Sequence, residues 1–354
     1  MPSKGVLMKK ITKGKFEGLQ TISNERGVIT AAAMDQRGSL QKSLAKERGV
    51  DKKDITAKDM GLFKEAVTEV LTPYASAILL DPNFGLSAIK KKSSNAGLLL
   101  AYESSGYDTP ADEKNERRTT LTPGWNVQKA KQNGADAIKL LLYYDPFASK
   151  ETNDSQEALT RKVGEECERE DIPFLLELVA YDHNGLDEKG PEFAKIKPKM
   201  VIESVKRFSN PKYKVDVLKV EVPVNLQFTE GTESYKGENP AYTKKEALEY
   251  FRKLSKVSNI PKIYLSAGVD NPVFLEGVRM GIEAGAKPNG VLCGRATWKG
   301  GIPVYAKQGV NAFKEWLKGE GVKNIQNLNK ILEKATAWYD NYGGKDQIEV
   351  VNPN

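Results

Sequence analysis

Residues 216–222, DVLKVEV, carry the pattern from which both the fold and the site are predicted. Successive residues of a β-strand point to opposite faces of the sheet. One face of this strand carries three apolar residues, Leu218, Val220 and Val222. The other face carries Lys219 and Glu221. In a barrel of parallel strands surrounded by helices, the apolar face meets the helices and the charged face looks inward.

Short apolar, β-branched runs of this kind alternate along the chain with longer amphipathic stretches. We predict strands at residues 28–34, 76–80, 97–102, 137–143, 173–179, 216–222, 262–266 and 290–293. We predict helices at residues 57–71, 123–133, 155–169, 193–207, 244–257, 272–284, 304–318 and 325–339. Such alternation is typical of parallel strands joined by crossover helices, and eight strands favour an α/β fold of the (β/α)8 TIM-barrel type. A doubly wound open sheet is the alternative, but residues 34–38, MDQRG, lack its glycine-rich fingerprint.

The length of 354 residues equals about two average domains, yet α/β barrels of this size form one. We therefore predict a single domain over residues 1–354, with the barrel core at 26–318 and a C-terminal helix and tail at 319–354. Polar loops at 104–122, 182–190 and 229–242 follow strands, where the functional face of a barrel is built. The polar tail from about Gly343 onward is expected to be mobile.

Composition narrows the function classes. The net charge is +7, but Lys and Arg are scattered among acidic residues, so we expect no nucleic-acid partner. No apolar run approaches the roughly 18 to 20 residues of a membrane helix, and no membrane partner is expected. The two cysteines, Cys167 and Cys293, form no disulfide framework and suggest a reducing, cytoplasmic location. The single histidine, His183, excludes a His-rich catalytic zinc site, and we predict no metal or other cofactor.

Charged residues lie on the inward face of several predicted strands. Lys139 opposes the apolar set of its strand, and Glu177 opposes an apolar trio. The first strand ends at Met34 and is followed by Asp35 and Gln36. Burying a charge is costly unless it is paired. Interlocking ion pairs inside the barrel are one interpretation of these residues, and an active site is the other.

The chemistry of this set favours the active site. A lysine buried beside a second lysine is penalised by desolvation and by like-charge repulsion, so the pKa of one such lysine is expected to fall toward neutrality. A neutral amine attacks a ketone and forms a Schiff base, and the iminium withdraws electrons from a neighbouring carbon–carbon bond. A carboxylate within hydrogen-bond reach would accept the hydroxyl proton that cleavage releases. Lys139, Lys219 and Glu177 are therefore a plausible set for a class I aldolase, and with Asp35 they are the candidate catalytic residues.

The last two predicted strands end in small residues. Ser266 and Gly268 follow the seventh strand, and Gly294 and Arg295 follow the eighth. Small residues allow backbone N–H groups to approach a phosphate, and an arginine grips it with two hydrogen bonds. Loops at these positions form a recurrent phosphate site in such barrels. The alternative is that the glycines only make tight turns.

Several long strings resemble the tagatose 1,6-diphosphate aldolase family, the class I enzymes of the tagatose-6-phosphate pathway for lactose and galactose. They are AMDQRG, LTPYASAILLDPNFGL, GLLLAYESSGYD, GADAIKLLLYYDP, DIPFLLEL, DVLKVEVPVN, IYLSAGV and GVLCGRATW. The resemblance implies a (β/α)8 barrel that cleaves D-tagatose 1,6-bisphosphate to dihydroxyacetone phosphate and D-glyceraldehyde 3-phosphate. It also implies a loose choice of sugar epimer, so that fructose 1,6-bisphosphate is a second expected substrate.

The resemblance also implies roles for individual residues. Lys219 would be the Schiff-base lysine, Glu177 the acid/base carboxylate and Lys139 the neighbouring cation. Asp35 and Gln36 would contact the reacting centre or sugar hydroxyls. The residues that would hold the dihydroxyacetone end and its phosphate are Ser266, Gly268, Leu292, Gly294 and Arg295.

The function, the preferred sugar epimer and the oligomeric state stay open at this point. One alternative function is a related Schiff-base aldolase for another ketose phosphate, for example a sulfonated one. The other is a barrel without catalytic activity that senses sugar phosphates. The chain departs from the family in its N-terminal leader, in residues 87–94 and 108–122, and in a longer tail, which leaves the preferred epimer open. A homo-oligomer is also left open.

Overall fold

A computed structural model describes residues 8–110 and 115–353 of the protein. The strands in these ranges are β1 Lys9–Thr12, β2 Ile29–Ala33, β3 Ala77–Leu80, β4 Gly97–Ala101, β5 Ala137–Tyr144, β6 Phe174–Ala180, β7 Val217–Glu221, β8 Thr229–Glu230, β9 Tyr242–Thr243, β10 Lys262–Leu265, β11 Gly290–Cys293 and β12 Ile348–Val351. The α-helices are α1 Lys13–Thr21, α2 Gly38–Arg48, α3 Ala57–Leu71, α4 Val127–Gln132, α5 Lys150–Arg169, α6 Pro191–Phe208, α7 Lys244–Lys256, α8 Asn271–Glu283, α9 Arg295–Trp298, α10 Ile302–Trp316 and α11 Val322–Leu332.

Eight parallel strands close into a barrel. Their order around it is β2, β3, β4, β5, β6, β7, β10 and β11, and β11 pairs with β2 to complete the ring. The predicted TIM-barrel fold is therefore confirmed, and each barrel strand lies within two residues of its predicted bounds. The open-sheet alternative is wrong, because an open sheet leaves two strand edges unpaired.

The alternation of side chains along the strands separates two apolar layers. One layer lies between strands and helices and includes Leu140 of β5 and Leu218 of β7. The other fills the lower interior of the barrel and includes Ala137 and Val217 of the same strands. Residues of odd number on these two strands therefore face the barrel axis, as the sequence pattern predicted.

The floor of the barrel is covered by the two ends of the chain. β1 pairs in parallel with β12, with Lys9 opposite Ile348. Below the barrel strands, the wholly buried ring of Trp338 packs edge-on against Phe16 at 5.8 Å between ring centroids. The prediction of a mobile tail from about Gly343 is wrong up to residue 353. Ile348 of the tail is buried in the inner cluster, and residues 348–351 are held in the strand pair.

The helices agree less closely with the sequence pattern than the strands do. The sequence did not predict α1 or α2, whose few buried residues give a weak apolar period. α3 was predicted with the bounds that it has, and Thr56 and Asp59 form a capping box at its start. None of the helices in the described ranges combines the length and apolar character that a bilayer crossing requires.

Candidate active site

The centre of the barrel mouth is occupied by the ammonium group of Lys139. Lys139 is wholly buried, and its Nζ atom lies 2.7 Å from Asp35 Oδ2 and 3.0 Å from Glu177 Oε2. It also donates a hydrogen bond of 2.6 Å to Glu103 Oε1. Three carboxylates thus surround a single cation, in the region that the inward charges predicted.

Glu177 joins this centre to the second lysine. Its Oε1 atom lies 2.7 Å from Lys219 Nζ, while its Oε2 atom faces Lys139. Glu177 and Lys219 are register partners on the adjacent strands β6 and β7, which explains the short distance. Both side chains are almost completely buried. The structure therefore brings together the four residues that the sequence analysis named as candidate catalytic residues.

The electrostatics of the cluster hold its central pair ionised. Burial opposes the charge of Lys139, but the carboxylates of Asp35, Glu103 and Glu177 outweigh it and raise the pKa of Lys139 well above its ordinary value. Burial also disfavours a charged Asp35, yet Lys139 and Lys219 hold the pKa of that carboxyl far below its usual range. At neutral pH, Lys139 is an ammonium group and Asp35 a carboxylate.

Glu103 is a member of this cluster that the sequence analysis missed. It lies between the predicted strand 97–102 and the predicted loop 104–122, and it also accepts a hydrogen bond of 3.0 Å from the backbone N–H of Leu141. Arg37 approaches it as well, with Nη2 at 3.5 Å from Glu103 Oε1. The signal was available, because Leu99 and Ala101 face the barrel interior and the next residue in that alternation is Glu103.

Glu221 does not join the cluster, although it shares a face of β7 with Lys219. Its Oε2 atom accepts a hydrogen bond of 2.8 Å from the backbone N–H of Ala180. Its Oε1 atom pairs with Lys197 of α6 at 3.0 Å. Glu221 lies at the end of its strand, so its side chain bends over the rim toward α6. The interpretation of inward charges as structural ion pairs therefore fits Glu221.

Among the described residues, three acceptor atoms in the mouth are buried without a hydrogen-bond partner: Asp35 Oδ1, Gln36 Oε1 and Glu177 Oε2. Glu177 Oε2 lies 3.0 Å from the ammonium group of Lys139, which leaves Asp35 Oδ1 and Gln36 Oε1 to be explained. Leaving buried polar atoms unpaired costs about 1–3 kcal/mol each, so the protein alone does not explain them. Both atoms suit the hydroxyl groups of a bound polyol, which donate hydrogen bonds.

Three of the predicted phosphate residues, Ser266, Gly268 and Arg295, lie together after β10 and β11, next to the end of β2 that carries Gln36. Gly268 has a φ of +79° and Ala267 a φ of +48°, and the turn they form is closed by a 3.0 Å hydrogen bond from Val269 N–H to Ser266 O. A Cβ atom at Gly268 would lie only 2.7 Å from the guanidinium carbon of Arg295. This glycine is therefore required for the guanidinium to lie flat against the turn.

The remaining two residues of the predicted set occupy different levels of the barrel. Gly294 lies beside Gln36, because a Cβ atom there would come within 3.0 Å of Gln36 Nε2. Leu292 is buried in the inner apolar cluster below the mouth, in register with Ala31. Its side chain offers no polar group, so only its backbone could serve a phosphate.

Comparisons with known proteins agree with this geometry. Residues 29–300 match the family model described as DeoC/LacD family aldolase. A tagatose 1,6-diphosphate aldolase of Listeria monocytogenes is 46% identical over 345 residues, which cover 97% of this chain and 99% of that protein. Tagatose 1,6-diphosphate aldolase 2 of Enterococcus faecalis is 47% identical over 335 residues, which cover 94% and 98%.

Solved structures add support for the fold. A fructose-bisphosphate aldolase from Plasmodium falciparum aligns with a TM-score of 0.65 at 13% identity, covering 93% of this chain and 98% of that chain. A Schiff base-forming fructose-1,6-bisphosphate aldolase aligns with a TM-score of 0.52 at 15% identity, covering 89% and 98%. The resemblance seen in the sequence is thereby confirmed, and the chain belongs to the DeoC/LacD aldolase family.

Proposed function

We propose that the protein is a class I aldolase that cleaves D-tagatose 1,6-bisphosphate to dihydroxyacetone phosphate and D-glyceraldehyde 3-phosphate. The observation that carries this proposal is the buried pair of Lys219 Nζ and Glu177 Oε1 at 2.7 Å, with the ammonium group of Lys139 beside it. The names of the Listeria and Enterococcus relatives, which match this chain over almost its whole length, support the substrate.

The first half of the reaction builds the Schiff base. The amine of Lys219 in its neutral form attacks C2 of the ketose, the C2 oxygen takes up a proton from solvent, and a carbinolamine forms. Glu177 accepts a proton from the attacking nitrogen and returns one to the departing hydroxyl group, so that water leaves and an iminium remains. Lys139 stabilises the negative charge that Glu177 carries before it accepts this proton and regains after it returns one, because its ammonium group faces the same carboxylate.

The second half breaks the carbon–carbon bond. Glu177, directly or through a water molecule, takes the proton of the C4 hydroxyl group, and the C3–C4 bond breaks. The electron pair of that bond passes into the iminium and gives an enamine, while D-glyceraldehyde 3-phosphate departs. Protonation of the enamine at C3 and hydrolysis of the new iminium release dihydroxyacetone phosphate and restore Lys219.

The unpaired acceptors and the glycine turn supply the binding contacts. Asp35 Oδ1 and Gln36 Oε1 accept hydrogen bonds from sugar hydroxyl groups, which removes the cost of leaving them unpaired. The guanidinium of Arg295, held against Gly268, binds the phosphate of the dihydroxyacetone end together with Ser266 and the backbone of Leu292 and Gly294.

The cellular setting follows from weaker signals. We propose a cytoplasmic location, because Cys167 and Cys293 are both buried and unpaired, as is usual in a reducing compartment. The interspersed surface charges support neither a nucleic-acid nor a membrane partner. A homo-oligomer stays a prediction, which sedimentation of the purified protein would test.

The test combines turnover with chemical trapping. The purified protein is expected to cleave tagatose 1,6-bisphosphate with a chelator present, and fructose 1,6-bisphosphate as a second substrate. Borohydride added with dihydroxyacetone phosphate should fix the ligand's mass on Lys219. Lys219→Met should lose roughly 10⁴-fold or more in kcat, since the covalent route disappears.

A matched control keeps this result specific. Lys262 is a buried lysine of the neighbouring strand β10, and its Nζ atom bonds only backbone carbonyl groups, of Ser258 and Ile260. Lys262→Met should retain both turnover and trapping. An active preparation without modified Lys219, or activity that a chelator removes and zinc restores, contradicts the proposal.

A further inference from the structure

Besides Lys139, a second lysine of the described residues has no exposed surface: Lys64 of α3, which lies just outside the barrel wall at the end of β2. It is wholly buried, and its Nζ atom donates hydrogen bonds to the backbone carbonyl oxygens of Met34 at 2.6 Å and Gln36 at 2.8 Å. The carboxylate of Asp81 lies beside it as an ion-pair partner, with Oδ2 at 2.7 Å but outside hydrogen-bond geometry. Two carbonyl acceptors and one carboxylate therefore surround the ammonium group.

The two carbonyl groups belong to the residues on either side of Asp35. Lys64 therefore holds the backbone of Asp35 from both sides, immediately after β2 ends. Met34 adds one ladder-type bond of 2.8 Å from its N–H to the carbonyl of Leu79. One side chain thus orients the peptide unit that precedes Asp35 and the peptide unit that follows Gln36, so the backbone that carries both residues is held at its two ends before any ligand binds.

The contacts of Lys64 continue into a closed ring around this segment. Asp81 Oδ1 accepts from the backbone N–H of Asn83 at 3.0 Å, and Asn83 Oδ1 accepts from Arg37 Nη1 at 2.9 Å. Arg37 Nη2 donates to the carbonyl of Glu103 at 2.7 Å. The carboxylate of Glu103 then reaches Lys139, whose ammonium group faces Asp35. The ring begins at the carbonyl groups of Met34 and Gln36, on either side of Asp35, and ends at the Asp35 side chain.

Stability alone gives a weak reason for such an arrangement. A buried ion pair is often no more stabilising than apolar residues of similar volume, and Phe63 and Val67 beside Lys64 on α3 are apolar core residues. The unpaired acceptors give a stronger one. Asp35 Oδ1 and Gln36 Oε1 have no hydrogen-bond partner among the described residues, and the Asp35 carboxylate is held by Lys139 through Oδ2 alone, so the backbone that carries both residues contributes to their aim.

We propose that Lys64, whose charge is balanced by the Asp81 carboxylate, is a positioning residue that aims Asp35 and Gln36 at the hydroxyl groups of the bound sugar. This role rests on the proposed function, because it assigns the clamp to the cleavage reaction. A misplacement of about 1 Å in a reacting constellation is enough to cost about 100-fold in rate. Lys64 touches no substrate in this scheme and acts through the backbone of residues 34–36.

The test removes the clamp without leaving a buried charge. In the variant Lys64→Met/Asp81→Asn, the amide oxygen at position 81 keeps its backbone bonds, while both charges are absent. We expect kcat/KM for tagatose 1,6-bisphosphate to fall about 100-fold. In the background of Asp35→Asn, the same double change should cost less than about threefold, because a residue that acts through Asp35 has little left to disturb. Lys262→Met, which also removes a buried lysine from two carbonyl groups, should leave kcat/KM unchanged.

Two results overturn the role. One is unchanged kcat/KM in the double variant. The other is a full 100-fold loss in the Asp35→Asn background, which would mean that Lys64 acts independently of Asp35. If the double variant does not fold, Lys64→Arg keeps the charge, and a loss of about tenfold that disappears in the Asp35→Asn background supports the role. Equal losses in both backgrounds contradict it.

A crystal structure of the double variant separates this proposal from the proposed function. We expect the distance between Asp35 Oδ2 and Lys139 Nζ to increase from 2.7 Å to more than about 4 Å, beyond the range of an ion pair. An Asp35 that stays in place contradicts the clamp, whatever the activity. Absence of turnover in the wild-type protein contradicts the proposed function alone, because the position of Asp35 is still measured.

Discussion

Lys64 and Lys139 are both wholly buried, but they lie on opposite sides of the barrel wall, and their pKa values are shifted in opposite directions. Inside the barrel, three carboxylates outweigh burial and raise the pKa of Lys139 well above its ordinary value. Between the wall and α3, burial outweighs the attraction of Asp81 and lowers the pKa of Lys64. The number of carboxylates around each amine decides the direction.

The difference shows how the same type of side chain serves two purposes at two places in the molecule. Lys139 supplies charge to the site, where the carboxylate of Glu177 changes protonation during the proposed reaction. Lys64 supplies geometry, because two of its acceptors are uncharged carbonyl groups whose position matters more than their charge. Substitutions that separate charge from geometry therefore test the comparison.

The largest expected effect comes from the lysine inside the barrel. Lys139→Met should lower kcat by about 10³-fold, since Glu177 loses the cation that balances it and proton transfer is worth about 10² to 10⁴-fold. Steady-state kinetics with tagatose 1,6-bisphosphate would measure this. If this loss is smaller than that of Lys64→Met/Asp81→Asn, the charge of Lys139 matters less to the reaction than the backbone geometry that Lys64 sets.

The next effect concerns stability outside the barrel. Lys64→Met alone leaves Asp81 buried without its cation and should lower the free energy of unfolding by about 3–5 kcal/mol. The addition of Asp81→Asn should recover most of that loss, because the orphaned charge disappears. Urea unfolding of the two variants checks the order. Equal stability of the single and double variants would show that Asp81 is not stabilised by Lys64.

A smaller effect is expected at the proposed phosphate site, which is distinct from the surroundings of Lys64 and Lys139. Gly268→Ala places a Cβ atom where the Arg295 guanidinium lies and strains a backbone with positive φ. Loss of a charge-assisted contact to phosphate should raise KM by about 10 to 100-fold, with little change in kcat. A fall in kcat at constant KM would place Arg295 in the chemistry rather than in binding.

The smallest effect is a pH dependence of opposite sign for the two lysines. The raised pKa of Lys139 gives stability that is fully present below about pH 10.4 and is lost as the pH rises beyond it. The lowered pKa of Lys64 means that the folded state binds fewer protons below about pH 10.4, so its contribution to stability increases as the pH rises toward that value.

Each slope is at most about 1.4 kcal/mol per pH unit. Unfolding free energies of the wild type, Lys139→Met and Lys64→Met/Asp81→Asn, measured from pH 8 to 11, give the two slopes by difference. Slopes of the same sign would show that the two amines have similar surroundings in solution.

The strand pattern predicted the barrel and the central charges because period-two alternation is a local property. Lys139, Glu177 and Lys219 were found for that reason alone. Glu103 was missed because the alternation of β4 continues one step beyond the last hydrogen-bonded residue. Glu221 was placed correctly on its strand, but no local pattern records that a rim side chain bends toward α6.

Lys64 was missed for a different reason. It lies on the buried face of α3, at helical spacing from the core residues Met60 and Val67, and a charged residue at such a position is a signal that the sequence does offer. Its partners are backbone carbonyl groups after β2, which no residue type marks. The strand pair of the barrel floor was missed because its two members lie at opposite ends of the chain.

That floor has a consequence for how the molecule folds. Among the strand pairs of the described residues, β1 and β12 are the farthest apart in sequence, so their pairing closes the longest loop and bears the largest loop-closure entropy. During synthesis, β1 can pair only after the segment that carries β12 has left the ribosome. Loop-closure entropy therefore opposes the sealing of the barrel floor more than it opposes the pairing of neighbouring strands around the charged mouth.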